Sequence, residues 1–149
     1  MKYKRLNQSN FEDCKKIFDD IFDFEPYLQW KKDFNLTGDF ESEWKSMLKY
    51  GRIYGLFNQD KLIAFCSWIY FSMDLYITIC NLTVDKKLQR QRFGMKILKY
   101  TINQVKKRNK KIIAQTNEIE FFKKSGFHIV TDFDDDKLQP YRYIVGYEK

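Results

Sequence analysis

The chain is poor in several features, and each scarcity narrows what it can be. Its 149 residues include three cysteines, Cys14, Cys66 and Cys80, with no CxxC pair among them. Each lies in an apolar pattern, which reads as a reduced core thiol of a cytoplasmic protein rather than as part of a disulfide framework. Long hydrophobic runs are missing too. The longest, Leu62 to Phe71, covers ten residues and includes Ser67, enough for a buried strand and too short to cross a bilayer. Met1-Lys2-Tyr3-Lys4 leads straight into polar sequence without the pattern of a secretory leader. No repeat, linker or low-complexity tract interrupts the chain, so residues 1–149 are expected to form one domain. There is one histidine, His128, after the Gly126-Phe127 turn; despite the appeal of histidine as a base, its position reads as structural. The run Asp134-Asp135-Asp136 lacks the alternating ligands and glycine of a calcium loop, so no metal is expected.

Acid is the last absence. Between Lys86 and Lys111 stand eleven Lys or Arg residues and no Asp or Glu, while the remainder of the chain is mildly acidic. A basic segment on such a body suits a local anion site. Nucleic acid is the weaker alternative, since only Phe93 and Tyr100 could stack bases. Lys99, Lys106, Lys107 and Arg108 read as a solvated helix face.

The apolar and aromatic content, 44% and 18%, is enough for a packed core. Lys2 to Leu6 is a first strand. Ser9-x-x-Glu12 has the form of a capping box before a helix whose apolar positions include Phe11, Cys14, Ile17, Phe18 and Ile21. From Asp23 to Gly38 there is no period, and a connection of that length in a compact domain is often functional. Asp39 to Tyr50 is a second helix, stopped by Gly51. Arg52–Phe57 and Lys61–Phe71 form a hairpin about Asn58-Gln59-Asp60. Asp74–Val84, nearly all apolar, reads as a central strand covered on both faces. It leads through a basic loop into a helix opening at Gly94, with Ile97, Leu98, Thr101, Ile102 and Val105 on one face. A strand at Lys111–Gln115, a short helix at Asn117–Ser125 and strands at Phe127–Phe133 and Tyr141–Tyr147 complete the order β-α-α-β-β-β-α-β-α-β-β, a mixed α/β fold.

Two motifs in this order carry a family resemblance. Gln89-x-x-Arg92-x-Gly94 resembles the pyrophosphate loop of the GCN5-related N-acetyltransferase (GNAT) family, Gln/Arg-x-x-Gly-x-Gly/Ala, with arginine at the middle glycine. Further on, Asn117 and Phe121-Phe122-Lys123-Lys124-Ser125-Gly126-Phe127 resemble the family's closing N…A…FYEKLGF. The resemblance spans essentially the whole chain. It implies a central, mostly antiparallel mixed sheet flanked by about four helices, and transfer of the acetyl group of acetyl-CoA to a primary amine of a small molecule or peptide, by direct attack in a ternary complex. It implies that Leu82, Thr83 and Val84 hold the pantetheine, with the Leu82 amide as oxyanion donor. The amides of Gln89, Arg90, Gln91, Arg92, Phe93, Gly94 and Met95 would hold the pyrophosphate. Asn117 would contact the cofactor, and Phe121 and Phe122 would pack beside the cleft. If position 92 needs a positive φ, arginine is strained there, and its guanidinium can compensate on a phosphate. Many members of the family dimerise, and the resemblance alone is the ground for expecting a homodimer here.

The resemblance leaves the acid and base open. The family's tyrosine acid aligns with Phe122 and its histone-acetyltransferase glutamate with Thr78, so Tyr76, Tyr141 and Tyr143 stand as candidates. Tyr27, Trp30, Tyr76 and Asp134 are candidate acceptor contacts, because acids and aromatics together favour a cationic amine. The missing acid and base also keep a second class in view, a CoA-binding module without turnover.

Overall fold

The computed structural model describes residues 1–22, 39–71, 75–134 and 141–147. Its elements follow the expected order: β1 (Lys2–Arg5), α1 (Phe11–Phe22), α2 (Phe40–Tyr50), β2 (Gly51–Asn58), β3 (Lys61–Phe71), β4 (Tyr76–Val84), α3 (Phe93–Val105), β5 (Lys111–Thr116), α4 (Ile119–Lys123), β6 (Phe127–Asp132) and β7 (Tyr143–Tyr147). The seven strands make one sheet in the order β1-β2-β3-β4-β5-β7-β6. Every pairing is antiparallel except β4 with β5, whose parallel geometry requires a crossover, supplied by α3. The β2–β3 hairpin turns at Gln59-Asp60, where Gln59 takes φ 56°.

The sheet is packed on both faces. On one, α1 and α2 bring Cys14, Ile17, Trp44 and Met47 against Ile53 and Phe65. On the other, α3 and α4 bring Ile97, Leu98, Val105 and Phe122 against Trp68 and Ile77. Each large apolar side chain buried this way contributes roughly 1.5–3 kcal/mol relative to exposure.

Several expectations are corrected in detail. The cap of the first helix is Asn7, which accepts from Ser9 N at 2.9 Å while Asn10 Oδ1 accepts from Asn7 N at 3.0 Å. The reciprocal pairing is therefore made by two asparagines around a 3₁₀ turn, and not by Ser9 and Glu12. Gly51 follows α2, but its φ of −160° is extended backbone. A Cβ there would lie 1.7 Å from the Trp68 carbonyl oxygen, so the glycine serves the close approach of β2 to β3 rather than a left-handed stop. The third helix opens at Phe93, one residue before Gly94. Arg108 is not a solvated side chain: its guanidinium lies 4.7 Å from the Trp68 ring centroid and donates to Tyr70 Oη at 2.8 Å. Strand β4 is central and covered on both faces as expected: Ile77 and Ile79 lie in the core under α3, and on the other side Thr83 is buried and Cys80 packs against the core under α1 and α2, with Thr78 half-buried. Asp74 and the 23–38 connection lie outside the described residues.

Candidate active site

Two features of β4 open a site at the middle of the sheet. First, its pairing with β5 runs from Tyr76↔Lys111 to Ile79↔Ala114 and goes no further. β5 stays paired with β7 on its other edge as far as Thr116↔Tyr143, while β4 stays with β3 as far as Val84↔Ala64. Among the described residues no strand pairs with the β5-facing edge of β4 from Cys80 to Val84, an edge that suits an added strand. Second, β4 carries a bulge. Phe65 pairs with Thr83 and Ser67 with Cys80, so Asn81 and Leu82 together oppose Cys66. Asn81 adopts φ 51° to allow it. Bulges of this kind re-aim backbone next to active sites, and this one turns the chain at Leu82, beside the opening.

Past Val84 the chain enters the basic loop. Asp85 accepts from Lys87 N at 3.0 Å and starts a 3₁₀ turn over Lys86–Leu88. Arg90 and Arg92 then take φ of 68° and 66°, with Gln91 between them outside that region. Alternation of this kind curls successive N–H groups into a concavity that suits an anion. Arg92 is also the cap residue of α3 and gives that helix no side-chain cap, which leaves its first amides to point outward with the helix dipole behind them. Two left-handed arginines cost roughly 1–2 kcal/mol each, the kind of strain that persists at functional sites. Gly94 is there for a different reason. A Cβ on it would meet Phe121 and Val84 at 3.5 Å, ordinary contact, so the protein itself does not forbid a side chain at this place.

Below the opening lies a cavity of about 420 Å³ between α2, β4 and the residues leading into β7. Thr78, Cys80 and Asn81 of β4 form one wall and Ser42, Glu43 and Ser46 of α2 the other, with Gln115 and Tyr141 across the gap. Met47 and Ile69 add apolar surface to the lining. Asn81 Nδ2 donates to Met47 Sδ at 3.1 Å and, at 3.5 Å, to Glu43 Oε2. Ser67 Oγ lies 3.1 Å from Cys80 Sγ and donates to the Cys80 carbonyl at 2.8 Å. Burial pushes the Cys80 thiol up to about 11, against the Ser67 hydrogen bond. Burial also raises Tyr141 above the usual phenol value, helped by the nearby Glu43 carboxylate.

Of the three candidate tyrosines, only Tyr141 lines this cavity. Tyr76 is half-buried at the start of β4, level with Phe71 and Lys111. Tyr143 packs toward the core with the Arg142 guanidinium 4.9 Å from its ring centroid. Asp134 is not at the cavity but beside Arg142, at 3.4 Å, and Asp132 holds the same guanidinium at 3.0 Å. Tyr27 and Trp30 lie outside the described residues. Phe121 stands half-buried beside Gly94, and Phe122 is 6% exposed and meets Phe127 edge-on in the core. Asn117 Oδ1 accepts from Arg142 N at 2.7 Å, so its side chain ties the β5–α4 turn to the chain entering β7. His128 is exposed on the edge strand β6. Glu43, Ser42, Ser46 and Gln115 were not anticipated. The signal for Ser42, Glu43 and Ser46 is the polar side of α2, opposite the apolar side that marks the helix, whereas Gln115 on β5 has no such signal.

Residues 2–130 match the model of a family described as an acetyltransferase (GNAT) domain. No curated protein matches the chain in sequence. Among solved structures, a GNAT-family acetyltransferase from Staphylococcus aureus Mu50 is similar at 18% identity and a TM-score of 0.69, over 98% of this chain and 97% of that one. The PaiA N-acetyltransferase of Thermoplasma acidophilum, solved with coenzyme A, is similar at 14% identity and TM-score 0.73, over 99% and 98% of the two chains. An aminoglycoside 6′-N-acetyltransferase complexed with coenzyme A is similar at 15% identity and TM-score 0.71, over 98% and 94%. At these identities the structures establish a shared fold, and the family match over most of the chain establishes more: the chain belongs to the GNAT family of acetyltransferases.

Proposed function

We propose that this protein is an N-acetyltransferase that moves the acetyl group of acetyl-CoA directly to a primary amine. The observation that carries the reading is the junction of the β4–β5 opening with the loop of alternating φ at Arg90–Arg92. The open edge of Cys80–Val84 suits the amides of pantetheine, and the curled amides of 89–95 suit a pyrophosphate, with Arg90 and Arg92 to neutralise it. Two fold relatives solved with coenzyme A, the PaiA N-acetyltransferase and the aminoglycoside 6′-N-acetyltransferase, support the same ligand class. In this reading Leu82, turned at the bulge, aims its N–H at the thioester oxygen as that oxygen gains charge. Gly94 keeps the loop clear for close approach of the phosphates.

The test is a thermal-melt titration of the full chain with acetyl-CoA and CoA, with ATP as control, followed by CoA release with an amine panel. At 100 times its dissociation constant a ligand adds about 2.7 kcal/mol, a rise of roughly 5–10 °C for a domain near this size. Equal shifts with ATP and CoA, or none with either CoA species, overturn the reading. A second reading, a CoA-binding module without turnover, draws on Phe122, which supplies no hydroxyl where the family often has one and is buried. Acetylation of any amine above the uncatalysed rate removes it.

A further inference from the structure

The side of the sheet that α3 covers carries cations and no acid. Strands β1 to β4 contain no Asp or Glu, and neither does the chain from Lys86 to Lys111. The outward residues of α3 and of the 3₁₀ turn that follows it are Lys96, Lys99, Asn103, Lys106 and Lys107, all exposed. At about 100° per residue, Lys99 and Lys106 fall on one flank of this ridge and Lys96 and Lys107 on the other, with Asn103 between them. Edge strand β1 extends the second flank. Tyr3 stacks on Tyr100 at 4.4 Å, and Arg5 pairs with Tyr54, whose ring meets Tyr100 edge-on at 5.4 Å. Cross-strand partners share a face, so Arg5 stands exposed on the α3 side. Ion pairs form at Lys15, Lys45, Lys123 and Arg142, and among the described residues none forms at a cation of this ridge. Like charges close together on a helix are destabilising. The pull of a helix C-terminus accounts for Lys106 and Lys107, but not for Lys99 or Arg5.

We propose that this ridge docks along the major groove of duplex DNA, its two rows of cations on the phosphates that border the groove, without reading the bases. The contact is separate from the 89–95 loop and does not depend on the acetyltransferase reading. Three features select this partner. None of the large apolar side chains exposed among the described residues lies on α3, whereas the centre of a protein interface needs such anchors and a helix lying in a membrane surface needs an apolar face. The one tyrosine of α3, Tyr100, is half-buried against Tyr3, so the ridge offers no platform for the bases of a single strand. What it offers is charge in two rows. A duplex carries one phosphate per about 1.7 Å of its axis, roughly nine over the rise of about 15 Å from Lys96 to Lys106. The B-form major groove, about 12 Å wide, matches the breadth of a helix with its side chains, whereas the A-form groove of duplex RNA is deep and narrow.

Fluorescence anisotropy of the full-length protein with a labelled DNA duplex tests the proposal. The same sequence as duplex RNA and as single-stranded DNA runs beside it, with sedimentation on phosphatidylserine vesicles as a further arm. Contacts to about four phosphates give log K a slope near −3.6 against log salt, a loss of about 150-fold between roughly 50 and 200 mM. The triple variant Lys99→Gln, Lys106→Gln, Lys107→Gln should weaken binding at the lower salt by about tenfold or more and flatten the slope by about three. Arg5→Gln, on a different element, should flatten it by about one, so the result does not hang on one set of substitutions. Scrambling the duplex sequence should leave affinity nearly unchanged, and saturating CoA should not compete. No binding at the lower salt, a slope flatter than about −1, or full affinity in the triple variant overturns the proposal. So does displacement by CoA, which would assign the binding to the 89–95 loop, or tighter binding of duplex RNA, the single strand or vesicles.

Discussion

The basic loop follows the end of the bulged strand β4 and the cavity lies along its middle, yet the two are built in opposite ways. The loop is local: seven consecutive residues, 89–95, supply its amides, its two left-handed arginines and its helix start. The cavity is assembled from α2, β4, β5 and the entry to β7, with lining residues from Ser42 to Tyr141. A local device can be altered residue by residue without disturbing the fold. An assembled one depends on what holds its walls, here the Asn117–Arg142 bond and the bulge at Asn81.

The comparison can be broken most sharply at the loop. Replacing Arg90 and Arg92 together by alanine should weaken CoA binding about 100-fold, since a hydrogen bond to a charged group is worth roughly 1.5–3 kcal/mol; calorimetry with CoA measures it, and an unchanged affinity would reduce the loop to a surface turn. Gly94→Ala should cost about tenfold in CoA affinity while leaving the unliganded protein as stable or slightly more so, because the contacts of an added Cβ are ordinary and alanine favours helix. A loss of stability in urea would mean that the glycine serves the fold instead. Arg92→Gly should split the two properties: relief of the φ of 66° raises unliganded stability by about 0.5–1 kcal/mol after the added entropy of the unfolded chain, while CoA affinity falls.

At the cavity the expected effects are smaller. Asn117→Ala removes a 2.7 Å bond to the Arg142 amide and should cost about 1 kcal/mol, with acceptor KM rising more than CoA affinity falls. The reverse pattern would restore Asn117 to the cofactor side. The smallest effect is electrostatic. The Arg142 guanidinium, and then the Asp134 amide, hold the Asp132 carboxyl below its ordinary value. A depressed carboxyl contributes stability above its unfolded pKa and loses it as pH falls through the folded one, so the contribution of this exposed pair fades below about pH 4. Arg142→Gln should move the Asp132 titration upward in a carbon-detected NMR experiment. A titration unmoved by that change would show that Asp132 owes nothing to the guanidinium.

Local order was legible wherever local chemistry dictates it. The helices and strands of the described residues could be read in sequence because hydrophobic period, glycine and asparagine turns and helix caps act over a few residues. The errors were of the same local scale, such as Asn7 in place of Ser9 as the cap. The second motif was less informative: Phe121 and Phe122 are adjacent in sequence, but α4 sends one toward Gly94 and the other into the core, a choice set by which face the helix packs.

Sequence alone determined the order of elements along the chain and the basic loop between β4 and α3, because those follow from contiguous residues and their intrinsic backbone preferences. Tertiary structure decided where β4 and β5 part, which tyrosine reaches the cavity and that Glu43, 38 residues before Asn81, lies beside it. No short-range rule brings those groups together. Burial of two apolar layers against one sheet does, and the polar side of α2 is carried to the site by the packing of its opposite face.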